Sequence, residues 1–255
     1  MNALFDDTFS KLRKDSAGPV ILFLGDSITA DGSYIRFASD WLQSRRPDQP
    51  VRLIARGVPS ETVSGLSEAA HPFPRPCVHD RLAEELASAA PDIVVACYGM
   101  NDGIYHPYGE ERFAAYRAGM QRLSEQIAAA GARTVLLAPP PFDAASFTGP
   151  LLPEAAPDFS YLTPYREYNQ VLKRYADWLL TGSCPADFVI DMHSPLLEHI
   201  RRQRMLDTGY RYGDGIHPDA SGHAAMARTL LRELLGAEAG ELENVGNAGN
   251  AGNAD

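Results

Sequence analysis

Cysteine is scarce in this chain, with three in 255 residues, and Cys77, Cys97 and Cys184 share no close spacing. A disulfide-built scaffold is excluded, and neither a CxxC redox pair nor a zinc site is indicated; the usage points to a reducing compartment. Long apolar runs are missing too. No stretch approaches the about 18 apolar residues needed to span a bilayer, and the opening MNALFDDTFSKLRKD lacks the apolar core of a secretory signal. A soluble, cytoplasmic protein without membrane insertion is therefore expected. Positive charge is in short supply as well: the formal net charge is -10 at pH 7. The one short basic cluster, Arg201 to Arg204, reads as the solvated face of a helix, so nucleic acid and anionic membrane surfaces are poor partners. Also absent are an internal repeat of about 20–50 residues and, after the first strand, a Gly-rich phosphate loop with its P-loop lysine. Solenoid and nucleotide-binding classes lose their support.

What is present is an ordinary globular composition, 45% apolar and 22% charged, and enough length for one domain with a sizeable core. Residues 1–235 are expected to form a single catalytic domain. Residues 236–255, where Gly, Asn and Ala recur, are expected to be a disordered tail. Short apolar runs bounded by turn signals occur at Pro19 to Gly25, Val51 to Ala55, Ile93 to Tyr98, Thr134 to Ala138 and Phe188 to Asp191. They read as strands buried on both faces. Helical spacing separates them: Tyr34 to Arg46, Val78 to Ala89, Glu110 to Ala130, Thr163 to Leu180 and about Ala220 to Leu235, the last three stopped by Gly131, Gly182 and Gly236. Alternating strands and helices require crossover connections, which predicts a three-layer α/β/α sandwich around a five-stranded parallel sheet. In such sheets ligands bind beyond the carboxyl ends of the strands.

Chemistry is therefore sought just after each strand. The first runs into Gly25-Asp26-Ser27, which places a serine on a tight strand-to-helix turn. Serine needs a base, and of the seven histidines only His217, in Asp214-Gly215-Ile216-His217, stands in an Asp-Gly frame that can set a carboxylate against its ring. In the rival pair Asp191 and His193, a one-residue gap at a strand end points the side chains apart. His223 stands on the final helix, within range of packing near the site. After the third strand comes Gly99-Met100-Asn101-Asp102, whose Asn101 amide is suited to donate to a developing oxyanion. Taken singly, each block also reads as a helix cap, a surface histidine or a Gly-Asn turn. The stretch Pro139 to Pro164 is too long for an ordinary connection and is either a substrate-facing loop or a tolerated insertion.

Together these blocks resemble the SGNH (GDSL-like) hydrolases. Gly25-Asp26-Ser27, Arg56-Gly57-Val58-Pro59-Ser60-Glu61-Thr62, Gly99-Met100-Asn101-Asp102 and Asp214-Gly215-Ile216-His217 occur in the family's order, and the resemblance covers roughly residues 19–235. It implies a flavodoxin-like fold, with Ser27 as nucleophile, His217 as general base then acid, and Asp214 orienting His217. Oxyanion donors would be the Ser27 backbone N–H, a backbone N–H of the second block and the Asn101 side chain. The family's usual oxyanion glycine aligns with Ser60, where a left-handed conformation would cost roughly 1–2 kcal/mol; Gly57 is the next choice. No metal or organic cofactor is implied. The expected reaction is hydrolysis of small, short-acyl carboxylic esters, O-acetylated sugars first, because most residues after the strands are small or polar. Alternatives are a lipase or thioesterase, its cleft walled by Phe142, Phe147, Leu151, Leu152 and Phe159, and a small-ligand binder without turnover. The oligomeric state is left open.

Overall fold

A computed structural model describes residues 18–246. Five strands form one parallel sheet: β1 (Val20–Gly25), β2 (Arg52–Gly57), β3 (Ile93–Cys97), β4 (Arg133–Leu137) and β5 (Phe188–Ile190), in the order β2-β1-β3-β4-β5. β3 is wholly buried, and β1 and β4 are buried except at their first residues. β2 departs from the reading as a strand buried on both faces. It lies at the edge of the sheet, where Arg52, Ala55 and Arg56 are exposed.

Seven α-helices connect or flank the described strands: α1 (Ser27–Asp31), α2 (Ser33–Arg45), α3 (Leu82–Ala89), α4 (Glu110–Ala129), α5 (Tyr168–Leu180), α6 (His193–Leu206) and α7 (Ala220–Leu235). In α2 the buried residues Tyr34, Ile35, Ala38, Trp41 and Leu42 recur at helical spacing and form the stripe that packs on the sheet and α7. The predicted helix from Val78 splits into a 3-10 turn at Val78–Asp80 followed by α3. The one predicted from Thr163 begins five residues later, and of α6 the sequence reading had only the helix face at Arg201 to Arg204. The expectation of disorder from Gly236 does not extend to residues 237–245. Ala237, Leu242 and Val245 are buried in the core, and the Trp41 indole donates to the Glu241 carbonyl at 3.0 Å. Residues 247–255 of that predicted tail lie outside the described residues. Among the described residues, no helix is long and apolar enough to cross a membrane.

The topology fixes where the loops meet. From β1 the chain moves outward to β2, then crosses back to β3 on the other side, so the direction of winding reverses between β1 and β3. Gly25 is in register with both Gly57 and Cys97. The segments carrying Ser27, Ser60 and Asn101 therefore leave one edge of the sheet side by side.

Candidate active site

Ser27 is the first residue of α1, and Asp26 caps that helix, its carboxylate accepting from the Ile28 N–H at 2.9 Å. α1 comes unusually close to β2. A Cβ on Gly57 would lie 2.1 Å from the Ala30 nitrogen, so glycine is what lets the turn bearing Ser27 settle on the sheet edge. Asp26 is buried, and burial pushes its carboxyl up to about 7.

The residues from 213 onward bring His217 to that serine. Ser27 Oγ stands 2.7 Å from His217 Nε2, and His217 Nδ1 stands 2.8 Å from Asp214 Oδ2. The other carboxylate oxygen of Asp214 accepts from the backbone N–H groups of Ile216 and His217, at 2.8 and 2.7 Å. Gly215, at φ 93°, makes the turn between them, where a Cβ would meet the Asp143 carbonyl at 2.7 Å. Burial works to raise the Asp214 carboxyl and is the largest single influence on it, but the hydrogen bonds from the His217 ring and from the His217 and Ile216 N–H groups, with the charge of His217, together outweigh it and hold the group down to about 2. The hydrogen bond between ring and carboxylate raises His217 above the ordinary histidine value of 6.5, against the effect of burial. In this arrangement the imidazole can receive a proton from the hydroxyl while the carboxylate fixes its tautomer.

The start of the long 139–164 stretch braces this turn. Asp143 N–H donates to the Gly215 carbonyl at 2.9 Å, Ser146 Oγ accepts from the Tyr212 N–H at 2.7 Å, and Arg204 and Arg211 bond to Asp143 and to the Ser146 carbonyl. Phe142 and Phe159 are buried, anchoring the stretch rather than standing open. Arg204, read as solvated, is turned inward by Asp143, whereas Arg201 and Arg202 are exposed.

On the other side of Ser27, the Val58-Pro59-Ser60-Glu61 segment is a turn closed by Glu61 N–H on the Val58 carbonyl at 3.1 Å. Proline in second place and a left-handed third residue are the type II pattern, and Ser60 adopts it at φ 67°. A serine thus adopts the left-handed conformation that was expected to be costly at this position. Asn101 is buried, its Nδ2 donating to the Glu61 carbonyl at 3.2 Å. Its Oδ1 accepts from Arg75 at 3.0 Å and from the Tyr105 hydroxyl at 3.1 Å. Neighbouring Asp102 holds the chain just after the second block by accepting from Val63 and Ser64 N–H at 2.9 and 2.8 Å, and burial pushes its carboxyl up to about 6.

A sequence profile of the GDSL-like lipase/acylhydrolase family matches residues 23–225. The chain belongs to that family. This GDSL-like hydrolase is an ester-hydrolysing enzyme. No curated protein matches its sequence. Among solved structures, it resembles a gut microbial diltiazem-metabolizing enzyme at 22% identity and a TM-score of 0.67, over 86% of this chain and 47% of the other. It thus spans about half the length of that protein. An acetylxylan esterase from Geobacillus stearothermophilus is 20% identical, with a TM-score of 0.61 over 88% of this chain and 98% of its own. Catalytic mutants of that esterase replace a serine, an aspartate and a histidine. These likenesses show the shared fold.

Residues of the GDSL-like hydrolase outside the four blocks also enter the site. Arg75, Glu68 and Tyr105 had no signal in the sequence, because they act through contacts between loops. The rival pair is accounted for structurally: Asp191 accepts from the Ser194 N–H at 3.0 Å at the start of α6, and His193 Nδ1 faces the Pro139 carbonyl at 3.1 Å. His223 is buried against Tyr34, with Nε2 3.3 Å from Asp31 Oδ1. Among the described residues, no cluster of three or more His, Cys, Asp or Glu is placed to hold a metal.

Proposed function

We propose that this hydrolase is a serine esterase acting on small carboxylic esters, with Ser27, His217 and Asp214 as its triad. The observation that carries this reading is the unbroken hydrogen-bonded chain from the Ser27 hydroxyl through His217 to Asp214. Ser27 Oγ attacks the ester carbonyl as its proton passes to His217 Nε2. The carbonyl oxygen becomes an oxyanion, which receives hydrogen bonds from the Asn101 amide and from the Ser27 and Ser60 backbone N–H groups. Collapse breaks the ester C–O bond, and His217 returns the proton to the departing alcohol. Water, deprotonated by His217, then attacks the acyl-enzyme and releases the acid.

Substrates with short acyl chains, O-acetylated sugars first, fit the small and polar residues that follow the strands, and the acetylxylan esterase of the same fold adds support. The buried anchoring of Phe142 and Phe159 speaks against a long apolar groove built from them. The three free thiols fit a reducing, cytoplasmic setting. A p-nitrophenyl ester series from acetate to palmitate, below micelle-forming concentrations, tests both parts. Ser27→Ala should abolish acetate hydrolysis with the circular dichroism unchanged, since loss of a triad serine removes several orders of magnitude; retention of more than about a tenth of the rate would overturn the nucleophile. kcat/KM should peak between acetyl and butyryl, since each methylene without a fitted site forfeits roughly 0.8 kcal/mol of burial. A maximum at octanoate or longer would replace the short-acyl reading with lipase or thioesterase chemistry.

A further inference from the structure

The segment between the second block and α3 contains an ion pair that is almost wholly removed from solvent. Arg75 and Glu68 side chains are each 1% exposed and meet through two hydrogen bonds of 2.6 Å. A buried pair of this kind is weak support for stability, because the desolvation of both charges offsets most of their attraction. Its placement calls for another explanation.

The remaining guanidinium nitrogen answers it. Arg75 Nη1 donates to Asn101 Oδ1 at 3.0 Å and to the Ser60 carbonyl at 3.2 Å, so one group grips two of the three elements assigned above to the oxyanion. We infer that Arg75, held by Glu68, is a positioning residue that sets the oxyanion hole by fixing the orientation of the Asn101 amide. The inference rests on the esterase reading of Asn101.

The physical argument concerns which end of the amide faces which partner. An amide rotated by half a turn would aim its oxygen, not its N–H, at the developing negative charge. Tyr105 is no safeguard, since a hydroxyl donates or accepts equally well. A guanidinium only donates, so Arg75 accepts no partner but the oxygen end of Asn101. The Glu61 carbonyl, which only accepts, secures the opposite end. One N–H of Nδ2 is thereby used on Glu61 and the second is left for substrate. Donation from a cation into Oδ1 also polarises the amide and makes that second N–H a stronger donor. The same nitrogen holds the carbonyl of Ser60, the residue in the left-handed conformation, and the Arg75 guanidinium lies 5.5 Å from the Tyr105 ring centroid. Glu68 balances the charge, which lets an arginine stand in this buried place.

The test is a double-mutant cycle between the pair and Asn101. Glu68→Met with Arg75→Met removes both charges together and leaves no unpaired buried ion; Arg75→Lys keeps the charge but loses the planar fork and serves if the double replacement does not fold. kcat and KM for p-nitrophenyl acetate are measured beside thermal melts. Either change should lower kcat by about tenfold to a hundredfold, with KM within about twofold, as for a weakened oxyanion donor. In an Asn101→Ala background the same change should cost no more than about threefold, the part carried by Ser60. Equal losses in both backgrounds, or an unchanged kcat in a folded variant, would overturn the positioning role and leave the reading of Asn101 standing. An Asn101→Ala enzyme with undiminished kcat would overturn that reading, and the positioning role with it.

Discussion

At His217 the two ring nitrogens do different work, and the pH dependence of the enzyme follows from that division. Nδ1 is bonded to a carboxylate held down to about 2, which stays ionised throughout the working range. The hydrogen bond to it favours the imidazolium and raises the pKa of His217 above 6.5. In the proposed mechanism only the neutral ring takes the proton of Ser27, so kcat/KM should rise with pH through an apparent pKa above 6.5 and level off beyond it. Asp214→Asn removes the charge that raises the ring, so the midpoint should move down while the plateau falls by orders of magnitude. A profile flat between about pH 5 and 8 would contradict a histidine base. These residues were legible in the sequence because each sits in a short local motif whose spacing fixes the geometry. Asp214 and His217 lie on one turn, and Ser27 follows its strand directly. Arg75 and Asn101, by contrast, are 26 positions apart in separate loops. No periodicity or motif records such a contact.

Among the elements, α1 and β2 show how tightly the serine turn is built. With Cβ only 2.1 Å from the Ala30 backbone, Gly57→Ala forces α1 away from β2 and carries Ser27 with it. Such overpacking typically costs about 1–3 kcal/mol, and a shift of about 1 Å at a reacting atom costs about a hundredfold in rate. The variant should therefore melt several degrees lower and lose at least about tenfold in kcat. A wild-type melt and kcat would show that the close approach relaxes harmlessly. Legibility at this scale followed burial. β1, β3 and β4 were read correctly because interior strands are apolar on both faces. β2 was read correctly as a strand but wrongly as buried on both faces, because its apolar run looks like an interior strand while its position at the edge is a property of the whole sheet. The extent of α6 was missed, though Arg201 to Arg204 were read as a helix face, because its buried residues are few, His193, Leu196 and Ile200. In the presumed tail, a repetitive composition concealed Leu242 and Val245, two apolar residues sufficient to dock it on the core.

The molecule as a whole carries an unusual concentration of acid behind its serine. Asp26, Glu61 and Asp102 are all buried. Glu61 is engaged by Arg81 at 2.7 Å and by the Tyr98 hydroxyl at 2.6 Å, but burial pushes Asp26 up to about 7 from its ordinary 3.8. A carboxyl raised on folding keeps its proton longer in the native state than in the unfolded one. Between about pH 4 and 7 the native protein thus binds more protons, and its stability falls as pH rises through that window. Asp26→Asn retains an oxygen to cap α1 and removes the titration. Variant and wild type should melt together near pH 4, and the variant should be the more stable at pH 8, by on the order of a few kcal/mol. A constant difference across the range would assign the slope to other groups, Asp102 first.

The central claim is that one activated hydroxyl, that of Ser27, performs the chemistry, and a fluorophosphonate tests it most directly by phosphonylating such a group. Intact-mass and peptide analysis after incubation should find a single adduct, on the peptide bearing Ser27. It should be absent from Ser27→Ala and form far more slowly in His217→Ala. An adduct on another residue, or an unlabelled enzyme that still hydrolyses p-nitrophenyl acetate at the full rate, would contradict the account.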